Sequence, residues 1–108
     1  MALEQQEIRQ GVVRLQMQGA MTVYDAVALK EGLLLAVRNH QRTELDLSQV
    51  DDLDTAGIQL LMMIKQEARR LGHDLHIVAH SNIVVQLFEF LNLAGFFGDP
   101  LVIPATGN

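Results

Sequence analysis

The chain has 108 residues, of which 49% are hydrophobic, and it carries a formal net charge of −5 at pH 7. This composition suits a packed domain and excludes a disordered chain, and the lack of a basic excess argues against nucleic-acid binding. The absence of cysteine excludes disulfides and thiolate metal sites. Since the sequence shows neither an apolar signal core nor a membrane-spanning run, we expect a cytoplasmic protein without membrane insertion.

Two strands are predicted at the start of the chain. Residues 3–9 alternate weakly and suit an edge strand, whereas residues 12–18 alternate clearly between apolar and polar. The apolar positions of the second strand are Val13, Leu15 and Met17. Gln10-Gly11 suits the turn of an antiparallel hairpin, and Gly19 is predicted to end the second strand.

The first helix is predicted over residues 22–38, with Thr22 as its N-cap and Asp25 completing an acidic variant of the capping box. Its apolar residues recur at helical spacing: Ala26, Leu29, Leu33 and Val37. Residues 43–47 are then predicted to form a short central strand. An acidic loop over residues 48–53 is expected to follow it.

The second helix is predicted over residues 56–71, with Gly72 directly after its end, where glycine is favoured. Its core stripe comprises Gly57, Leu61, Ile64, Ala68 and Leu71. Residues 75–79 suit the next strand.

A third helix is predicted over residues 82–92, capped by Ser81-Asn82. A turn over residues 95–100 and a last strand over residues 101–103 complete the chain. The resulting order, β-β-α-β-α-β-α-β, predicts an α/β fold in which helices flank a mixed sheet. No repeat or linker divides the sequence, so we expect residues 1–108 to form a single domain.

Acidic residues gather where the central strand leads into the second helix, and they allow three interpretations. They are Asp46, Asp51, Asp52 and Asp54. A calcium loop counted from Asp52 fails, because its fifth position is Ala56 and its twelfth is Met63. A phosphotransfer motif of the Asp-x-Asp-x-Thr kind is nearly matched, but its fifth residue is again Ala56. The simplest interpretation is solvated charge.

Thr55 follows these acids at the predicted start of the second helix. Structurally, Asp54 or Thr55 caps that helix, which stabilises it by roughly 1 kcal/mol. Functionally, the hydroxyl is a candidate phosphate acceptor, and a phosphate adds a charge of about −1.5 to −2. The helix dipole would tolerate that charge within the domain, whereas a partner docked beside the acids would be disturbed.

Nothing in the sequence points to catalysis, a metal or a cofactor. His76 and His80 lie four residues apart on a predicted strand, and a zinc site needs three or four convergent ligands. No nucleophile–base pattern or glycine-rich phosphate loop occurs. Ile58, Met62 and Met63 flank the core stripe of the second helix, and exposed methionine suits an adaptable protein-binding surface.

The stretch from Glu44 to Leu61 resembles the signature of STAS domains, the sulphate-transporter and anti-sigma-factor-antagonist family. Asp46-Leu47-Ser48 resembles the end of a strand in that family, and Asp54-Thr55-Ala56-Gly57 resembles the Asp-Ser/Thr-x-Gly turn that opens the next helix. The resemblance extends over about residues 8–103 and agrees with the predicted order of elements. It implies a STAS-like fold.

Bacterial STAS proteins of this size are typically non-enzymatic switches in transcription regulation. A partner kinase, itself an anti-sigma factor, phosphorylates the hydroxyl residue after the motif aspartate, and a phosphatase resets the switch. The unphosphorylated form binds that partner and frees the sigma factor. The resemblance therefore implies that Thr55 is the acceptor. The expected partner-binding residues are Asp51, Asp52, Asp54, Thr55, Ala56, Gly57, Ile58 and Met62.

The identity of residue 55 leaves other functions open, because sigma-regulating members more often have serine there. Asp54-Thr55-Ala56-Gly57 also resembles the STAS component of bacterial phospholipid-transport ABC systems, in which the domain packs on the ATPase. Other relatives accompany chemotaxis kinases. A small phosphotransfer enzyme that uses the acidic residues is the alternative from the enzyme class.

Overall fold

The computed structural model describes residues 2–98, which form strands and helices around a hydrophobic core. The strands are β1 (Ala2–Arg9), β2 (Val12–Met21), β3 (Arg42–Leu53) and β4 (Asp74–His80). The helices are α1 (Ala26–Asn39), α2 (Thr55–Leu71), α3 (Asn82–Phe90) and α4 (Ala94–Phe97). The predicted α/β fold class is confirmed, while the predicted strand over residues 101–103 lies outside the described residues.

The sheet is mixed, and its strands follow one another in the order β1-β2-β3-β4. β1 and β2 form the predicted antiparallel hairpin. Its turn residues, Gln10 and Gly11, both have positive φ angles, of 30° and 83°, which matches the twist of a tight hairpin. β3 lies between β2 and β4 and runs parallel to both, so its predicted central position is confirmed.

Both β2 and β3 extend further than their apolar alternation predicts. Gly19, expected to end β2, pairs with Val50, and the expected acidic loop over residues 48–53 continues β3. The pairing shifts register next to Gly19, whose φ of 90° suits a bulge. Met21 and Val50 are buried at the extended ends and stabilise them. The two predictions were wrong because a bulge interrupts the period-2 pattern on which they rested.

The predicted start of the first helix was also wrong, since α1 begins at Ala26 and not near Thr22. The amide of Asp25 donates to the Thr22 carbonyl at 3.0 Å, which closes a turn before the helix. The Thr22 hydroxyl donates to the Asp25 carboxylate at 3.2 Å. The two side chains therefore bond each other, and the N-cap residue Asp25 makes no side-chain cap hydrogen bond.

The other helix ends largely follow the sequence. α2 ends as predicted at Gly72, whose φ of 72° is left-handed and whose amide donates to carbonyls in the last turn. The Ser81 hydroxyl caps α3 by accepting from the Val84 amide at 3.4 Å. α3 ends at Phe90, earlier than predicted, and α4 occupies the first part of the predicted turn over residues 95–100.

The helices α1 and α2 pack against each other and against one face of the sheet. On β2 the buried residues Val13, Leu15 and Met17 alternate with the half-exposed residues Arg14, Gln16 and Gln18. One face of the sheet is therefore apolar and covered, whereas the other is polar. Within residues 2–98, no helix combines the length and the apolarity that crossing a membrane requires.

A substitution at Leu61 tests whether this face of α2 belongs to the core. Its side chain is 0% exposed on the sheet-facing side of α2. Leu61→Ala should lower the free energy of unfolding by roughly 3 kcal/mol, because it removes apolar contacts and leaves a cavity. The control Gln59→Ala, at an exposed position of the same helix, should change it by less than about 0.5 kcal/mol. Urea unfolding followed by circular dichroism measures both values, and equal losses would contradict the assignment.

Candidate functional site

The start of α2 is fixed by Asp54, the last residue before the helix. Asp54 has extended backbone angles, and its Oδ1 atom accepts from the Gly57 amide at 3.0 Å. This is the geometry of an N-cap, in which a carboxylate satisfies an amide that has no partner inside the helix. Asp54 is therefore the cap, although the sequence allowed either Asp54 or Thr55.

The same carboxylate also holds the turn that precedes α1. Its Oδ2 atom accepts from the Val23 amide at 3.0 Å, and the Asp54 amide donates to the Met21 carbonyl at 3.3 Å. The hydrogen bonds from Gly57 and then Val23 lower the pKa of Asp54 below its usual value, because they stabilise the charged form. Asp54 thus joins three segments: its backbone amide bonds the end of β2, and its side chain bonds the turn before α1 and the start of α2.

Gly57 is required by close packing. A Cβ atom at this position would overlap the carbonyl oxygen of Met21 and lie 2.7 Å from the Leu53 side chain. The carbonyl belongs to the backbone of β2 and cannot move aside. Only glycine allows the first turn of α2 to lie this close to the sheet.

Thr55 is the first residue of α2 and is exposed. Its hydroxyl takes part in none of the hydrogen bonds that the structure describes for residues 2–98, because Asp54 supplies the cap. The hydroxyl lies at the positive end of the helix dipole, where a phosphate would be favoured. The Thr55 hydroxyl is therefore accessible, and a group added to it would break none of those bonds.

The acidic residues around Thr55 are distributed differently from the sequence expectation. Asp51 and Asp52 are exposed on the last residues of β3, so their charges lie close to the start of α2 along the chain. The Asp52 side chain accepts from the Leu53 amide at 2.9 Å.

Asp46 does not join this group, because β3 continues for several residues beyond it. Burial raises the pKa of Asp46, but hydrogen bonds from Ser48 and Gln16 outweigh it and hold the pKa below its usual value. Its side chain is held on the polar face of the sheet by Gln16, which lies opposite it on β2. Asp46 is therefore a structural residue of that face.

The structure revises several expected partner contacts. Gly57 and Ile58 are both buried, so they support the site from within and are not exposed at the surface around Thr55. Met62 and Met63 are both half-buried against the core, and Met63 also lines a groove between α1 and α2. Ala56 also lines this groove.

Sequence reasoning missed an apolar surface beside Thr55. Three large, exposed apolar residues lie here: Val23 and Tyr24 in the turn before α1, and Val27 in its first turn. Val23 is joined to Asp54 through its amide. The sequence did contain an indication of this surface. The three residues fall outside the predicted core stripe of the first helix, so no packing partner was expected for their side chains.

The described residues offer no metal centre. Among residues 2–98, no group of three or more His, Asp or Glu side chains is arranged to hold a metal ion.

A family model described as "Mlab, STAS domain" matches residues 4–103. No curated protein matches the sequence.

Several solved structures share the fold. The anti-sigma factor antagonist SpoIIAA in its unphosphorylated form aligns with a TM-score of 0.76 at 12% identity, over 96% of this chain and 89% of that chain. The phosphorylated form of SpoIIAA from Bacillus gives a TM-score of 0.71 at 11% identity, over 96% and 92% of the two chains. An anti-sigma factor antagonist from Mycobacterium paratuberculosis gives a TM-score of 0.79 at 20% identity, over 97% and 89%. At these identities the likeness establishes the fold.

Gly57 provides a stability test of the site. Gly57→Ala should lower the free energy of unfolding by roughly 3 kcal/mol, because the added methyl group meets backbone that cannot move. The matched control is Gly95→Ala, where a Cβ atom would meet nothing within 4 Å. Thermal and urea unfolding of both variants measure the difference. A Gly57→Ala protein as stable as the control would contradict the close approach of α2 to β2.

Asp54 provides a pH test. Its pKa is lower in the folded protein than the ordinary value of 3.8, so the carboxylate stabilises the fold above that pH. This contribution is lost as the pH falls through the folded-state pKa. The difference in urea midpoint between wild type and Asp54→Asn should therefore be largest near neutral pH and shrink below about pH 4.

Asp51→Asn is the control for charge removal. It removes the same charge from an exposed side chain that takes part in none of the described hydrogen bonds, so its effect near neutral pH should be small. If the difference in urea midpoint between wild type and Asp54→Asn did not change with pH, the role given to the carboxylate would be contradicted.

Proposed function

The chain belongs to the STAS domain family, and we propose that it is a non-enzymatic interaction switch of the anti-sigma factor antagonist type. Thr55 is the proposed phosphate acceptor, and a serine/threonine kinase-type anti-sigma factor is the proposed partner. The observation that carries the proposal is the exposed Thr55 hydroxyl at a helix start that Asp54 already caps. The fold shared with anti-sigma factor antagonists supports it.

The proposed modification is a transfer of one phosphoryl group. The Thr55 hydroxyl oxygen attacks the γ-phosphorus of ATP held by the partner, its proton passes to a base of the partner, and ADP leaves. The cap geometry supports this step, because the hydroxyl is free of the described hydrogen bonds and the acceptor residue begins a rigid helix. A phosphatase reverses the step by hydrolysis.

The proposed consequence is release of the partner. The phosphate adds about −1.5 to −2 charges next to Asp51 and Asp52, both of which are exposed. The helix dipole compensates part of this charge inside the domain, so the fold is retained. In this proposal the partner docks over the exposed side chains of Val23 and Tyr24. It would then face a strongly hydrated dianion, and docking would become unfavourable.

A second candidate is a STAS subunit of a phospholipid-transport ABC complex, which docks on the transport ATPase. The observation in its favour is threonine, rather than serine, in Asp54-Thr55-Ala56-Gly57. In this function the exposed Thr55 side chain contacts the ATPase and is not phosphorylated.

The experiment that separates the two begins by purifying the protein from its native cell and identifying the protein that accompanies it. Wild type, Thr55→Ala and Thr55→Glu are then compared in binding to that partner, and wild type is analysed by mass spectrometry after incubation with the partner and ATP. Thr55→Ala should bind and resist modification, whereas Thr55→Glu should bind more weakly. The free energy of unfolding of Thr55→Ala should differ from that of wild type by less than about 0.5 kcal/mol, because Asp54 retains the cap.

Ser81 is the matched control for acceptor choice. It lies at the start of a helix too, directly before α3, but its hydroxyl accepts a hydrogen bond from the Val84 amide. The proposal expects phosphate on Thr55 and none on Ser81. If Thr55→Ala abolishes binding while wild type never carries phosphate on Thr55, the residue is a docking contact and the transport-subunit function replaces the switch.

A further inference from the structure

A groove runs between α1 and α2 on the side of these helices that faces away from the sheet. Its first half has a volume of about 280 Å³ and is mainly apolar. This half is lined by Ala26, Val27, Lys30, Ala56, Gln59, Leu60 and Met63. Its second half has a volume of about 450 Å³ and is more polar, and Lys30 and Met63 line both halves. The two halves therefore form one continuous surface, which we call the α1–α2 groove.

The second half of the α1–α2 groove is positively charged. Glu67 contacts Arg70 at 2.7 Å and Arg38 at 3.4 Å. The hydrogen bond from Arg70, together with the charges of both arginines, lowers the pKa of Glu67 to about 2, so this side chain is a carboxylate at neutral pH. Two cations around one anion leave this cluster with a positive excess.

Lys30 adds a further positive charge at the junction of the two halves. It is exposed, and it takes part in none of the ion pairs described for residues 2–98. The charges of Arg38 and Arg70 are partly balanced by the single carboxylate of Glu67. The groove is therefore locally positive in a chain whose net charge is −5. This local reversal of sign complements an acidic ligand.

We propose that the α1–α2 groove binds one acidic amphipathic helix of a protein partner. The apolar side chains of that helix pack on Met63, and its carboxylates pair with Lys30 and Arg70. α1 has 14 residues, so at about 1.5 Å per residue a ligand helix of similar length, roughly 21 Å, covers the groove. Apolar anchors at helical spacing are typical of helix-in-groove recognition, and complementary charges add specificity.

This inference deepens the proposed function and rests on it only in taking the ligand to be a protein. Ala56 lines the apolar half and directly follows Thr55. The bound helix therefore has its apolar end at the phosphorylation site and its acidic end at Arg70. A phosphate on Thr55 would meet the end of the ligand that is least able to solvate it.

The test uses two synthetic peptides of about 14 residues, matching the length of the groove. In both peptides, one helical face carries leucine in the first half. In the second half the same face carries glutamate in the acidic peptide and lysine in the basic peptide. Binding to the full chain is measured by fluorescence anisotropy. Wild type should bind the acidic peptide roughly tenfold more tightly than the basic one, and added salt should weaken this preference.

Charge reversal supplies the specific arm of the test. Lys30→Glu should weaken binding of the acidic peptide by roughly tenfold and strengthen binding of the basic one, with Lys30→Gln intermediate. The matched control is Arg9→Glu, an equal charge change at the exposed end of β1, which should leave the preference unchanged. Circular dichroism establishes that each variant is folded. The assay contains neither kinase nor ATP, so its result is independent of whether Thr55 accepts phosphate.

Several outcomes would overturn the inference. Wild type that binds neither peptide, or both equally, has no acidic-helix site. Inorganic polyphosphate that binds as tightly as the acidic peptide would mean that the groove recognises negative charge alone. A dimer of wild type in sedimentation equilibrium that Lys30→Glu dissociates, without peptide binding, would assign the groove to a second copy of the chain.

Discussion

The carboxylate of Asp54 is the interaction on which the candidate site depends. One of its oxygens accepts from the Gly57 amide and the other from the Val23 amide, so the same group begins α2 and positions the turn before α1. The close approach of Gly57 to the Met21 carbonyl fixes the distance between α2 and β2. Because these constraints are met by Asp54 and by a residue without a side chain, the Thr55 hydroxyl is left free at the surface.

The outer face of α1 and α2 has opposite electrostatic character at its two ends. At the Thr55 end Val23 and Val27 are exposed and apolar, and the exposed carboxylates of Asp51 and Asp52 are close to Thr55 along the chain. The far end carries the arginines that share Glu67. The helices run from the first end to the second, so their dipoles place positive potential where the carboxylates are. The proposed phosphate and the proposed acidic helix would therefore act on a single partner from opposite ends of one surface.

The family signature and the site motif could be predicted from sequence, whereas the surroundings of the motif could not. Asp54-Thr55-Ala56-Gly57 was placed correctly at the start of a helix, and the family assignment is confirmed. Val23 was not assigned to the surface around it, because its exposure depends on where the turn before α1 lies relative to α2. Periodicity identifies the faces of one element, but it does not say which neighbour leaves a face uncovered.

The sequence by itself determined the order of elements from β1 to α3, the extent of α2 and its glycine stop, because each depends on local periodicity and capping chemistry. Only the tertiary structure decided that β3 continues to Leu53, since that extension rests on pairing with β2 across a bulge. It also decided that Asp54 caps α2, that Asp46 belongs to the polar sheet face, and that Ile58 is core. These outcomes depend on hydrogen bonds and packing between segments that are distant in the chain, and no local pattern records such contacts.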